Sequence, residues 1–294
     1  MKAINPSPKM NLQCPLCAHS SRRLFCKYAY WIRSCNTCNH HFAEILPSPN
    51  HVDRVYDDQY FTGSGSGYPD YLAEARILRS HGRRYARLLS RYVQPGTMLD
   101  VGAAAGFILE GFLDSGWNGR GIEPNLRMAK YAQTHLGVEV DTGSLEQFQS
   151  HDRYDLITMI QVVSHFYNLQ QAFQVASSHT RLGGFWLIET WNRNSLTARL
   201  LNKYWHEYSP PSVMHWFSVK GLQQLAAQHG FREIARGRPA KWINGAHAKS
   251  LLRYKLNDMP MGKWFAQPLN LIPDSFAIPY PAEDLFWTLY QKDS

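Results

Sequence analysis

No apolar run in the chain approaches the ~18–20 residues that a membrane-spanning helix needs, so an integral helical membrane protein is not expected. The opening segment, MKAINPSPKMNLQCP, lacks the apolar core of a secretory signal, which makes the cytoplasm the expected location. Charge is sparse at 18% of residues and no block of five like charges occurs, which argues against a disordered polyelectrolyte or a basic tail. Acids are the scarcer sign, 23 against 31 lysines and arginines. The formal balance of +8 allows a polyanionic partner such as RNA, an anionic membrane or a phosphorylated substrate, without demanding one. Cysteine is rarer still, with five residues confined to positions 14 to 38. What remains, 294 residues of which 44% are apolar, is a globular composition suited to one substantial domain and a smaller module.

The cysteines fall as Cys14-Pro-Leu-Cys17 and Cys35-Asn-Thr-Cys38, with 17 intervening residues that include Cys26. Each Cys-x-x-Cys lets two thiolates converge on one ion from a tight turn, and two such knuckles complete the tetrahedron of a zinc ribbon. In a cytoplasmic chain a disulfide framework is the weaker alternative. Four thiolates leave no open position for water, so a structural zinc on Cys14, Cys17, Cys35 and Cys38 is expected. Cys26 and the pair His40-His41 are spare donors.

Residues 1–46 therefore read as a small zinc ribbon. Beyond Pro47-Ser-Pro-Asn50 come an aromatic linker, Tyr56-Asp-Asp-Gln-Tyr60-Phe61, and a glycine-serine stretch, Thr62 to Gly67. Apolar spacing predicts a helix over Tyr68 to Tyr92, so 47–96 is taken as an aromatic linker and lid helix, ended by Pro95-Gly96. From Thr97 strand-like and helix-like segments alternate. Strands are predicted at Met98–Val101, Gly119–Ile122, Val138–Val140, Leu156–Ile160 and Phe185–Thr190. Helices are predicted near 105–115, 126–135 and 168–181, the last closed by Leu182-Gly183-Gly184. This alternation predicts an α/β fold with a doubly wound, Rossmann-like parallel sheet over residues 97–250.

Ligands of such sheets bind at the carboxyl ends of the strands. The first strand runs into LDVGAAAGF, Leu99 to Phe107, which fails the Gly-x-Gly-x-x-Gly pattern of dinucleotide loops. Two acids belong to this corner: Asp100 at the end of the first strand and Glu123 after the second, near the spacing at which an acid accepts ribose hydroxyls. Asp100 would oppose a pyrophosphate at the helix N-terminus. S-adenosylmethionine (SAM) brings a sulfonium and an ammonium to the same corner and no phosphate, so the charge favours SAM.

On these residues the chain resembles the class I SAM-dependent methyltransferases, over roughly residues 55 to 235. Leu99 to Gly106 is similar to their first motif, with Ala104 at the middle glycine, and Glu123 matches their ribose-binding acid. Gly143-Ser144-Leu145 sits where they cradle adenine, and Tyr154 to His165 resembles their fourth-strand motif, with Ser164-His165 where Glu-His is usual. Arg181 to Glu189 resembles the loop and fifth strand. The ribbon and tyrosine-rich connector resemble a subgroup found in secondary-metabolite and sugar modification. The resemblance implies a seven-stranded methyltransferase sheet with an antiparallel last strand, strands six and seven coming from Phe231–Arg236 and a segment near Trp242. It also implies donor contacts from Asp100, Gly102, Ala103, Gly106, Phe107, Glu123, Ser144, Leu145, Gln161 and Tyr60.

Methyl transfer is an in-line displacement, so a protein must chiefly align the acceptor, and a hydroxyl acceptor benefits from a general base. The aromatic segment Trp205 to Ser218, in an insertion near 192–218, overhangs the donor by this resemblance. His215, His165 and His206, in that order, are the candidate bases. Packing competes as a role: His215 can tie the loop to the next helix, and His165 can cap the fourth strand. Tyr56, Tyr60 and Phe61 either close over the donor or pack the ribbon on the core, and the tail 251–294 reads as an aromatic cover. Methylation of a small-molecule hydroxyl, on a sugar or natural-product intermediate, is the leading expectation. RNA methylation with the ribbon as reader is second, although residues 14 to 38 carry only Arg22, Arg23, Lys27 and Arg33 as cations and no Asn/Asp-Pro-Pro-Tyr motif occurs. A non-catalytic SAM-binding scaffold is third.

Overall fold

The computed structural model describes residues 12–46, 49–56, 61, 70–240, 242–246, 248–249, 273, 277–280 and 282–293. Three antiparallel strands come first: β1 (Ser21–Lys27), β2 (Tyr30–Cys35) and β3 (His41–Ala43). Tyr28 and Ala29, both at positive φ, form the two-residue hairpin that the strand twist prefers. The chain continues through α1 (Pro49–Val55), α2 (Ala75–Leu89), β4 (Thr97–Val101), α3 (Phe107–Leu113), β5 (Asn118–Glu123) and α4 (Leu126–Tyr131). Then follow β6 (Val140–Thr142), β7 (Tyr154–Ile160), α5 (Leu169–Ser178), β8 (Thr180–Trp191), α6 (Leu196–Leu201), β9 (His215–Trp216) and α7 (Val219–Gln228). The last elements are β10 (Phe231–Gly237), β11 (Trp242–Asn244), β12 (Ala277–Pro279) and β13 (Leu285–Lys292).

The main sheet has the order β10-β13-β8-β7-β4-β5-β6. Strands β4 to β8 run parallel, and β13 is antiparallel to both of its neighbours. This is the expected Rossmann-like seven-stranded sheet, built from residues of strict alternation. Leu99, Val101, Ile157, Met159, Trp186 and Ile188 face α5 and α7. Met98, Leu156, Phe185 and Leu187 face α2, α3 and α4. Successive strand side chains point to opposite faces, so two covered faces demand apolar residues at every position.

Three expectations change. The seventh strand is not the segment near Trp242, which pairs with Ala277–Pro279 in a separate two-stranded sheet. It is Leu285–Lys292, placed in the covering tail by sequence reading, which inserts between β10 and β8. Leu285 to Tyr290 are all buried, an unbroken run that only a strand covered on both faces supports. The helix expected to reach residue 181 ends at Ser178, and Arg181-Leu-Gly-Gly bulges out within β8, where Thr180 pairs with Tyr154 and Phe185 with Leu156. The third parallel strand is Val140–Thr142 instead of Val138–Val140.

The ribbon is fused to this body. His41 and Phe42 pair with Trp216 and His215, so β9 extends the ribbon sheet. Cys14, Leu16, Cys35 and Phe42 share one apolar cluster with Phe173 of α5 and Leu222 of α7. Gln170 and Gln228 donate to the carbonyls of Pro15 and Leu16 from those same helices.

On the other face α2 and α3 cross at two glycines. A Cβ on Gly82 would stand 2.1 Å from the Ile108 carbonyl oxygen, and one on Gly111 would stand 2.3 Å from that of Arg79. Backbone cannot yield as a side-chain tip does, so Gly82→Ala is expected to destabilise the fold by about 1–3 kcal/mol, read from chemical denaturation midpoints. An unchanged midpoint would contradict the close crossing.

Candidate functional site

The carboxyl ends of β4, β5 and β7 open into a cleft walled by Gly102, Glu123 and Gln161 at those strand ends. Tyr56, Phe61 and Tyr71 cover one side, and Ser144 to Glu146 close the other. An apolar lining with a few convergent polar groups is the form of a small-molecule site. Gly102 takes φ +69°, and a Cβ there would meet Val162 Cγ2 at 2.9 Å, so the turn presents bare backbone to the cleft.

Of the donor contacts expected from sequence, Gly102, Glu123, Ser144, Leu145 and Gln161 line this cleft. Asp100, Ala103, Gly106 and Phe107 do not. Asp100 is buried behind the wall, its Oδ1 accepting from Thr158 Oγ1 at 2.6 Å. Ala103 packs on Gly121, Gly106 turns the chain into α3 at φ +81°, and Phe107 sits between the rings of Tyr71 and Tyr131. A tight strand–turn–helix sends alternate residues away from the ligand side, which motif spacing does not distinguish. Tyr60 lies outside the described residues. Sequence reading missed Glu74, His81, Glu146 and Trp242 on the wall, because no motif carries them.

The cleft is acidic. Glu123 Oε2 accepts from the Ala104 N–H at 2.9 Å and Oε1 from the Asn125 N–H at 2.8 Å, leaving each oxygen a second lone pair. Burial pushes Glu123 up to about 7, and the nearby Asp100 charge adds to the rise. Burial likewise pushes Asp100 up to about 7, against the lowering effect of the Thr158 hydroxyl. Glu146 is raised by burial, and buried Glu74 adds a further carboxyl. The Ser144 hydroxyl sits beside Glu146 and Tyr167 without a well-formed hydrogen bond to either. Desolvated carboxyls and an orphan hydroxyl fit a ligand with cationic groups and hydroxyls, as SAM is, and disfavour a pyrophosphate.

Of the three histidines ranked from sequence, His165 alone lies on this wall. His165 Nδ1 lies 2.8 Å from the Ser212 carbonyl and 2.9 Å from the Tyr56 hydroxyl, which itself donates to that carbonyl at 2.7 Å. A carbonyl only accepts, so in the neutral ring the Ser212 contact assigns the proton to Nδ1 and the lone pair to Nε2, with the Gln161 carbonyl also against the ring. Burial holds His165 below the usual histidine range, hence neutral. His215, ranked first from sequence, is off the wall. Its Nε2 faces the Phe166 carbonyl at 3.0 Å and its Nδ1 faces His40 at 3.5 Å, so β9 uses it to tie loop to ribbon. His206 is also off the wall, against Trp191 and Trp205 and 3.5 Å from Glu207.

The sulfurs of Cys14, Cys17, Cys35 and Cys38 lie within 4.8 Å of one another. Cys17 stands 3.4 Å from both Cys35 and Cys38, and Cys14 stands 3.6 Å from Cys38. A disulfide needs ~2.05 Å, whereas tetrahedral zinc with bonds of ~2.3 Å needs sulfurs roughly 3.8 Å apart. The N–H groups of Leu16, Thr37 and Cys38 point at the Cys14 and Cys35 sulfurs at 3.4 Å, which favours thiolate. The donor set fits zinc. Cys26 stands exposed outside it, and His41 Nδ1 is engaged with Tyr208 at 2.8 Å. Metal analysis is expected to give about one zinc per chain, and chelation to lower the melting temperature in a single transition, because ribbon and sheet share a core. Absence of zinc, or a ribbon melting by itself, would contradict this.

A family model described as a methyltransferase domain matches residues 73–235. The chain is 26% identical over 102 residues to the ubiquinone biosynthesis O-methyltransferase of Bradyrhizobium sp. (strain ORS 278), a match covering 33% of this chain and 40% of that protein. The match to the protein of the same name from Rhodopseudomonas palustris (strain HaA2) is 26% over 146 residues, 47% of this chain and 58% of that one. The chain thus spans about half the length of these curated relatives. Among solved structures, a SAM dependent methyltransferase from Archaeoglobus fulgidus superposes with a TM-score of 0.51 at 15% identity, over 76% of this chain and 99% of that one. The YcgJ protein from Bacillus subtilis gives 0.50 at 16% identity, over 73% and 99%. Both likenesses are of fold. With the sheet order and cleft described above, the matched model places this chain in the methyltransferase-domain family, of the class I SAM-dependent type.

Proposed function

We propose that this protein transfers a methyl group from SAM to a hydroxyl of a small molecule, a sugar or natural-product intermediate, with His165 as the general base. The observation that carries this reading is an acidic cleft at the carboxyl edge of the sheet with a neutral histidine on its wall. Bound SAM supplies an electrophilic methyl on a good leaving group. Glu123 would hold the ribose hydroxyls with its remaining lone pairs, and Ser144 and Leu145 would flank the adenine. Asp100, Glu74 and Glu146 would favour the positive charges.

His165 Nε2 takes the acceptor's proton as the oxygen is methylated, and the Ser212 carbonyl on Nδ1–H steadies the imidazolium that forms. Tyr56 and Phe61, in the segment 47–96 read as a lid, keep water from the cleft. The relatives' name, O-methyltransferase, supports oxygen as the acceptor atom. RNA has less support, because three of the ribbon's four cations are engaged: Arg23 and Arg33 pair with Glu44, and Lys27 donates to the Trp205 carbonyl at 3.3 Å.

Transfer of labelled methyl from SAM to a panel of hydroxylated small molecules tests the reading. His165→Gln is expected to lower kcat by roughly 10²–10⁴-fold with SAM affinity unchanged, and an equally active variant would remove the base. The carboxyls set a pH dependence. Without ligand, Asp100 and Glu123 keep protons up to about pH 7 that the unfolded chain releases near its ordinary values of 3.8 and 4.5, so stability falls as pH rises through that window. A cationic ligand prefers the ionised pair. SAM affinity by calorimetry should therefore rise between pH 5.5 and 7.5 and rise less in Glu123→Gln; a flat wild-type profile would contradict the assignment.

A further inference from the structure

Next to the acidic cleft lies a second one of opposite character, with His81 on the wall of both. It lies between α2, Glu189 near the end of β8, and Arg238 just past β10. Four guanidinium groups line it, from Arg84, Arg87, Arg91 and Arg238. Their disposition differs from that of the other arginines on α2. Arg79 pairs with Glu110 of α3, and Arg83 with Asp114 just past its end. Arg87 and Arg91 have no ion-pair partner among the described residues, and Arg84 has a buried Nη2 with no hydrogen-bond partner. One carboxylate, Glu189, stands on the wall; its charge acts on Arg84, and the Tyr85 hydroxyl and the Gln161 amide both donate to it. Among the described residues Glu283 also feels the charge of Arg238.

The buried Nη2 of Arg84 left without a hydrogen bond is costly, and together with the exposed Arg87, Arg91 and Arg238 on the same wall it matches a multiply charged oxyanion better than a single carboxylate. Since the adjoining cleft is read as the donor site, on which this step rests, we infer that the arginine cavity is the acceptor's anion subsite and that the acceptor carries a phosphate or diphosphate ester. The acceptor then lies across His81, its charged end among the arginines and its hydroxyl toward His165. Cationic donor and anionic acceptor are thus sorted between two cavities by charge.

Inorganic pyrophosphate is the probe, titrated by calorimetry into the full-length protein with and without saturating S-adenosylhomocysteine. The expected result is pyrophosphate binding that persists with S-adenosylhomocysteine bound and weakens about tenfold or more in Arg84→Gln and in the exposed double variant Arg87→Gln/Arg91→Gln. Arg83→Gln, on the ion-paired side of α2, should leave it unchanged. S-adenosylhomocysteine affinity should be the same in all these variants, and its loss from the wild type would instead sink the donor assignment. Four results overturn the inference: no pyrophosphate binding, equal binding in the double variant, competition with S-adenosylhomocysteine, or succinate binding as tightly as pyrophosphate. Tight binding of an RNA oligonucleotide that the double variant abolishes, with pyrophosphate inert, would assign the arginines to RNA.

Discussion

Two carboxyl groups buried side by side, Asp100 and Glu123 at the ends of neighbouring parallel strands, set the terms for the site built around them. Both strands must end at the same edge, because a parallel sheet brings its carboxyl termini together. Burial makes each charge expensive, and each raises the cost of the other. The surrounding structure answers with hydrogen bonds: Thr158 to Asp100, and two backbone amides to Glu123. Among the described residues no lysine, arginine or histidine forms an ion pair with either carboxyl, and a sulfonium ligand brings a positive charge. The loop between the strands can therefore use alanines at 103 to 105, since no phosphate needs the close backbone approach that glycine allows.

The ribbon bears on the same site from the other side. Its third strand pairs with β9, whose His215 bonds to the carbonyl of Phe166, one residue after His165. Ser212, which orients His165, lies three residues before His215 in the same loop. Zinc, ribbon sheet, loop and the histidine on the cleft wall thus form one mechanical chain. A structural metal can bear on the orientation of a cleft histidine through packing alone.

Much of this was legible in the sequence. Alternating apolar segments gave the parallel strands, the Cys-x-x-Cys pairs gave the metal cluster, and acids at two strand ends gave the character of the cleft. Three kinds of information were not legible. The seventh strand is separated from β10 by almost fifty residues, and its unbroken apolar run reads equally as a cover or a core strand. Which of Asp100, Ala103, Gly106 and Phe107 touch the cleft depends on how a turn rotates them, which spacing does not encode. The rank of the histidines depended on proximity in space: His215 stood in the more suggestive motif, yet both its nitrogens are taken by the ribbon and Phe166. The arginines of α2 were visible only as a scattered basic surface until the fold divided them into those facing α3 and those facing a cavity.

The most direct measurement is a crystal structure with S-adenosylhomocysteine bound. The account requires the ribose hydroxyls on the Glu123 carboxylate, the adenine against Leu145, and the sulfur directed toward the side of the cleft that holds His165. A ligand seated among the arginines of α2, or one that leaves Glu123 bonded only to its two backbone amides, would contradict it.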